Sequence, residues 1–124
     1  MRIRGISVFL SAFVLATALL LAQSAVAIEP GLVTPEEGKT LVQQKKDLFI
    51  LDVRNPNEYV VAHYPGAVNI PVSDLEARIA EVPTDRPVLV YCAKGRRAAR
   101  SYELLKAKRP EIKELYCING DTIF

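Results

Sequence analysis

The sequence predicts a single α/β domain with a central, mostly parallel sheet and helices on both faces. Short, continuously apolar runs such as Leu48–Val53 and Val88–Tyr91 have the look of strands buried on both faces. Stretches with helical signals separate these runs, and a strand that returns parallel to its predecessor needs such a crossover. At 124 residues the chain holds one domain at most. Its 50% hydrophobic content excludes a disordered chain, and two cysteines exclude a disulfide-dense scaffold.

Residues 1–27 have the three parts of a secretory signal: a basic start (Arg2, Arg4), an apolar run from Ile6 to Ala22, and the small-residue site Ala25-Val26-Ala27. The run lies at the lower edge of what spans a bilayer, so an uncleaved anchor is the alternative. Gln23, Ser24 and the small-residue site directly behind the run favour removal after Ala27. The expectation is an exported protein, periplasmic in a Gram-negative source, without stable membrane insertion once the leader is gone. Without Arg2 and Arg4, the 16 basic side chains become 14, equal to the 14 acidic ones. The domain from residue 28 to 124 is therefore neutral, with no general argument for nucleic acid as a partner.

Pro30 to Thr34 reads as extended, with Thr34 capping a helix whose first turn carries Pro35, Glu36 and Glu37. The run Leu48–Val53 is a strand ended by Arg54-Asn55-Pro56-Asn57, and Asn57 to Ala62 forms one or two helical turns. Tyr64-Pro65-Gly66 breaks the chain before a second strand, Ala67 to Pro71. Ser73 precedes a helical stretch, Asp74 to Ala80, in which Leu75 and Ile79 share a face. After the turn Val82–Pro87 comes a third strand, Val88 to Tyr91, then a helix from about Ala98 to Lys108 stopped by Pro110, and a last strand from Lys113 to Ile118.

Cys92 falls at the carboxyl end of a buried strand and just before a helix, where open α/β sheets bind ligands. If Cys92–Arg97 curls into a loop, its N–H groups join the free N–H groups of the helix's first turn to form an anion cradle. Helix end and cations (Lys94, Arg96, Arg97, Arg100) favour a thiolate over a thiol. Gly95 supplies the backbone freedom that so tight a loop needs. Four cations without an acid are more than a solvated helix face requires, which favours chemistry over a buried structural cysteine.

Cys92-Ala93-Lys94-Gly95-Arg96-Arg97 resembles the C-x-x-G-x-R active loop of the rhodanese-like sulfurtransferases. Leu51-Asp52-Val53-Arg54-Asn55-Pro56-Asn57-Glu58-Tyr59 is similar to that family's D-V-R-x-x-x-E-[FY] segment, and Ala62-His63-Tyr64-Pro65-Gly66-Ala67-Val68-Asn69-Ile70-Pro71 to its G-H-I-P-G-A-x-N-I-P segment. With the leader, the resemblance extends to the exported single-domain members related to phage-shock protein E. Ala62 replaces a usual glycine, and the usual Gly-Gly is met by Asn119-Gly120 or Gly120-Asp121. The sequence stops at Phe124, where the family commonly carries a Trp and a further helix; this leaves one sheet face partly open in expectation.

The resemblance implies a two-step transfer of sulfane sulfur through a Cys92 persulfide, from a small anionic donor such as thiosulfate to cyanide or a thiol. Ala93, Lys94, Gly95, Arg96 and Arg97 would form the active loop, with Lys94 and Arg97 binding the donor and Arg96 pointing outward; Arg97 closing the loop against an acid is the alternative. Asp52 and Glu58 would hold the architecture, and Arg54 would reach the mouth of the site. His63 reads as structural, satisfying backbone groups beside its proline turn.

A Cys-dependent phosphatase or arsenate reductase is a rival, but such loops place arginine at C-x5-R, and Arg97 falls at C-x4-R. A persulfide carrier or interaction module with incidental turnover is another. Cys117 reads as a core cysteine, with a redox partner of Cys92 as the alternative. No metal-ligand cluster, dinucleotide fingerprint or Walker loop occurs, so no cofactor is expected. A monomer or weak homodimer is the expected state.

Overall fold

The structure is a computed structural model that describes residues 27–124. All of the expected leader except Ala27 lies outside the described residues. The elements run β1 (Gly31–Val33), α1 (Pro35–Gln44), β2 (Phe49–Asp52), α2 (Pro56–Val61), β3 (Val68–Asn69), a 3₁₀ turn (Ile79–Glu81), β4 (Val88–Tyr91), α3 (Arg96–Lys108) and β5 (Leu115–Ile118). The sheet has the order β1-β5-β4-β2-β3 and every pairing is parallel. Pro30–Thr34, expected only to be extended, supplies a strand, since Gly31–Val33 pairs with Tyr116–Ile118.

The two-residue period of the strands divides the core. Val88, Val90, Leu51, Leu115 and Cys117 face Ala98 and Leu105 of α3 together with Leu75, Val82 and Ile112. Leu89, Tyr91, Ile50, Tyr116 and Ile118 face Leu41 of α1 and Tyr64. The α1 cap is as expected: Thr34 Oγ1 accepts from Glu37 N at 3.1 Å and Glu37 Oε1 accepts from Thr34 N at 2.9 Å. Gly38 lets this helix lie against the sheet, because a Cβ there would come within 2.5 Å of Ile118 Cδ1.

Two expectations differ from the fold. Asp74–Ala80 is not an α-helix; the chain makes successive turns with three-residue spacing, such as Asp74 N to Pro71 O at 2.8 Å, before Ile79–Glu81. One pair of apolar residues four apart is too little to sustain a helix whose nucleus is costly; Leu75 is buried all the same. No helix follows β5 among the described residues. Instead the segment Asn119–Phe124 folds back, and the Phe124 ring packs against Tyr64 and Tyr91 at centroid distances of 5.1 and 5.8 Å, on the sheet face that also holds Leu41 of α1.

At the carboxyl end of β2 the side chain of Asp52 is fully buried and takes a forked ion pair from Arg54, with Nη2 to Oδ2 at 2.7 Å and Nε to Oδ1 at 3.0 Å. Tyr91 Oη donates to the same Oδ2 at 2.8 Å, joining β4 to β2 through side chains as well as backbone. Arg54 Nη2 also donates to Ala62 O at 2.6 Å, and its guanidinium lies over the rings of Tyr91 and Phe124. Asn69 Nδ2 donates to the carbonyls of Asp52 and Arg54, attaching β3 to this turn.

Removing one member of a buried ion pair strands the other without solvent. Arg54→Met is expected to destabilise the fold by about 3–5 kcal/mol, read from the urea midpoint. A loss no larger than that of an exposed substitution such as Arg86→Met would contradict the role given to the pair.

Candidate active site

The loop Cys92–Gly95 joins β4 to α3, and the helix begins at Arg96, two residues earlier than expected. Gly95 precedes it with φ of 101°, a left-handed conformation, and a Cβ there would approach Gly120 N to 2.8 Å. The turn aims two backbone donors at one atom: Gly95 N and Ala98 N lie 3.0 and 3.3 Å from Cys92 Sγ. Backbone donors converging at a helix N-terminus form an anion-binding arrangement.

Cys92, itself buried, lines an open cavity of about 650 Å³ together with Glu58, Ala93, Lys94, Arg96 and Arg97. The arginines do not divide as expected. Arg97 forms a bidentate pair with Glu58, Nη1 to Oε1 at 2.7 Å and Nη2 to Oε2 at 3.1 Å, so its charge is met within the protein. Arg96, expected to point outward, lines the cavity with Lys94, and neither forms an ion pair with a described residue. Loop closure by Arg97, the alternative reading, matches the geometry, and Lys94 and Arg96 remain as the cations open to a ligand.

Glu58 has two duties. Its Oε1 accepts from Asn55 N at 3.0 Å, completing the start of α2, while the carboxylate receives Arg97 from across the site. The Arg97 guanidinium holds the Glu58 carboxyl down at about 2, against the desolvation that opposes it. Asp52 also supports the architecture from its buried pair. Arg54 does not reach the cavity mouth: it is 6% exposed and committed to Asp52 and Ala62 O. His63 stacks on Tyr59 with ring centroids 3.7 Å apart, its Nδ1 lies 2.7 Å from Tyr59 O, and it is not among the residues lining the cavity.

Cys117 pairs with Val90 across β4 and β5, two residues short of Cys92. Strand rise and spacing then put the two Cα atoms about 8 Å apart, beyond the reach of a disulfide without backbone movement. Burial pushes the Cys117 thiol up to about 12, which suits a core residue and opposes a resolving thiolate. Both cysteines are free.

Sequence reasoning missed one participant. Thr122 Oγ1 donates to Cys92 O at 2.6 Å, and Thr122 N donates to Ala93 O at 3.0 Å. No local pattern marks a contact that spans 30 residues.

The low-lying carboxyl of Glu58 stabilises the folded state above its ordinary value of 4.5, and the contribution disappears as pH falls toward about 2. Glu58→Gln is therefore expected to cost about 1–2 kcal/mol at neutral pH. Urea unfolding across pH should show the gap from wild type closing on acidification; a gap that is constant with pH would refute the assignment.

Comparison with known proteins agrees with this geometry. A family model described as a rhodanese-like domain matches residues 34–121. The uncharacterized protein YqhL of Bacillus subtilis is 39% identical over 87 residues, covering 66% of this chain and 68% of that protein. The thiosulfate sulfurtransferase PspE of Escherichia coli is 40% identical over 57 residues, 44% of this chain and 55% of that one. Of several further relatives the chain spans about half the length or less. The crystal structure of a rhodanese-like domain protein from Staphylococcus aureus superposes with a TM-score of 0.62 at 23% identity, over 76% of this chain and 87% of that one, a likeness of fold. The chain belongs to the rhodanese-like domain family.

Proposed function

We propose that the chain moves a sulfane sulfur from a thiosulfate-like donor to a thiophilic acceptor, cyanide or a thiol, through a persulfide on Cys92. The observation that carries this reading is Cys92 lining a cavity with Lys94 and Arg96 while its Sγ receives two backbone N–H groups. In the first step the Cys92 thiolate attacks the outer sulfur of thiosulfate; the S–S bond breaks, and sulfite leaves with its electron pair. Cys92 then carries Cys–S–S⁻. In the second step the acceptor attacks the outer sulfur, and the bonding pair returns to Cys92 as thiolate.

Donors placed for a sulfur anion lower the energy of both charge-bearing states. Lys94 and Arg96 would attract the dianionic donor and hold its sulfonate end, whereas Arg97, tied to Glu58, sets the loop shape. That tie also speaks against a phosphatase, because the arginine such an enzyme would offer to phosphoryl oxygens is already bidentate with a carboxylate. The leader read in residues 1–27 supports an exported location, periplasmic in a Gram-negative source.

The deciding measurement is the intact mass of the protein after thiosulfate treatment. A gain of one sulfur atom, reversed by cyanide and absent in Cys92→Ser, is the expected result, with thiocyanate released at each turnover. Aryl-phosphate hydrolysis without sulfur transfer by the same preparation would overturn the proposal. A persulfide that forms but fails to turn over with cyanide or thiols would indicate a sulfur carrier instead.

Removing a free cation at the cavity should weaken donor capture more than chemistry. Lys94→Ala and Arg96→Ala are each expected to raise KM for thiosulfate by roughly 3- to 30-fold with a smaller change in kcat. Steady-state kinetics check this, and an unchanged KM in both variants would remove these residues from donor binding.

A further inference from the structure

A loop that binds anions through its N–H groups must also keep its carbonyl oxygens turned away, since each carries partial negative charge. In Cys92–Gly95 the first two carbonyls, those of Cys92 and Ala93, are both held by a single residue: Thr122 Oγ1 donates to Cys92 O at 2.6 Å and Thr122 N to Ala93 O at 3.0 Å. The segment that carries Thr122 is fixed by contacts that do not involve this loop. Asn119 N donates to Val33 O at 2.8 Å, extending the pairing of β5 with β1. Tyr64 Oη donates to Ile123 O, and Lys39 Nζ donates to Phe124 O at 3.3 Å. The segment is thus anchored on both sides of Thr122 by other parts of the fold.

The geometry points to Thr122 as a positioning residue for the reaction: by holding the Cys92 and Ala93 carbonyls, it fixes the two peptides that lead from Cys92 to Lys94 and Gly95, and so the direction from which Gly95 N meets Cys92 Sγ. This rests on the proposed sulfur transfer at Cys92 and extends it to a residue outside the active loop. Thr122 is not itself among the residues lining the cavity, and its hydroxyl meets the Cys92 carbonyl, so its effect passes through the loop backbone. Without that hydroxyl, the Cys92–Ala93 peptide is free to rotate and present a carbonyl to the persulfide or the donor.

The full chain carrying Thr122→Val, nearly isosteric but without the hydroxyl, tests this beside Thr122→Ser, which restores it. Thr122→Val should lower kcat for thiocyanate formation by roughly 10- to 100-fold, with a smaller effect on KM for thiosulfate. It should also slow alkylation of Cys92 by iodoacetamide, taken as the difference from Cys92→Ser. Thr122→Ser should recover both signals, and urea unfolding should show the variants folded. Wild-type kcat and alkylation rate in folded Thr122→Val, or equal damage in Thr122→Ser, would overturn the inference. If Thr122→Val does not fold, Thr122→Ala against Thr122→Ser makes the same comparison. The alkylation rate needs no sulfur donor, so a protein that transfers no sulfur at all would refute the proposed function while this reading of Thr122 is still decided.

Discussion

The buried pair between Asp52 and Arg54 is the constraint on which the site depends. Two ions taken from water cost more than they return unless their remaining hydrogen-bonding capacity is met, and here it is met by neighbours that the site requires. Tyr91 donates to Asp52, so the residue immediately before Cys92 is held to the end of β2. Arg54 reaches Ala62 O and thereby closes the turn that contains α2. That closure presents Glu58 to Arg97 on the first turn of α3. A single ion pair thus sets both walls of the loop: β4 through a tyrosine, and α3 through a helix that exists to carry one carboxylate.

Electrostatically the site is a local exception within a neutral domain. Helix α3 begins with Arg96 and Arg97 and has no acid in its first turn, the opposite of what the helix dipole prefers. α1 obeys that preference with Glu36 and Glu37. The difference is intelligible if a bound or covalent anion supplies the missing negative charge at the start of α3, since local rules are commonly broken where function requires it. Glu58 compensates part of the excess from the side, which leaves the cavity cationic without overloading the helix end.

Much of this was legible because the signals are local. Continuously apolar runs located β2 and β4, Thr34 as a cap before Pro35, Glu36 and Glu37 located α1, and the spacing from Cys92 to Arg97 located the loop. The division of labour among the cations was not legible, because Glu58 and Arg97 are 39 residues apart and nothing near either announces the partnership. Arg54 was misplaced at the cavity mouth for the same reason: its partner two residues away could be read, but the burial of both by Tyr91 and Phe124 could not. The failed helix at Asp74–Ala80 is a different case, in which one face-sharing pair fits a helix and a series of turns equally well. Thr122 was invisible because threonine is common on surfaces and its role depends wholly on where the chain returns after β5.

The order of the sheet has a consequence for how the protein meets its neighbours. Its two edges are β1, with three residues, and β3, with two, and Asn69 on β3 turns its amide inward to the Asp52 and Arg54 carbonyls. An exposed strand edge is a template on which other chains can add, and short edges blunt that hazard. The longer, strongly apolar strands that would seed such growth, β4 above all, lie inside the sheet with partners on both sides. The fold therefore gives passing chains little backbone on which to aggregate.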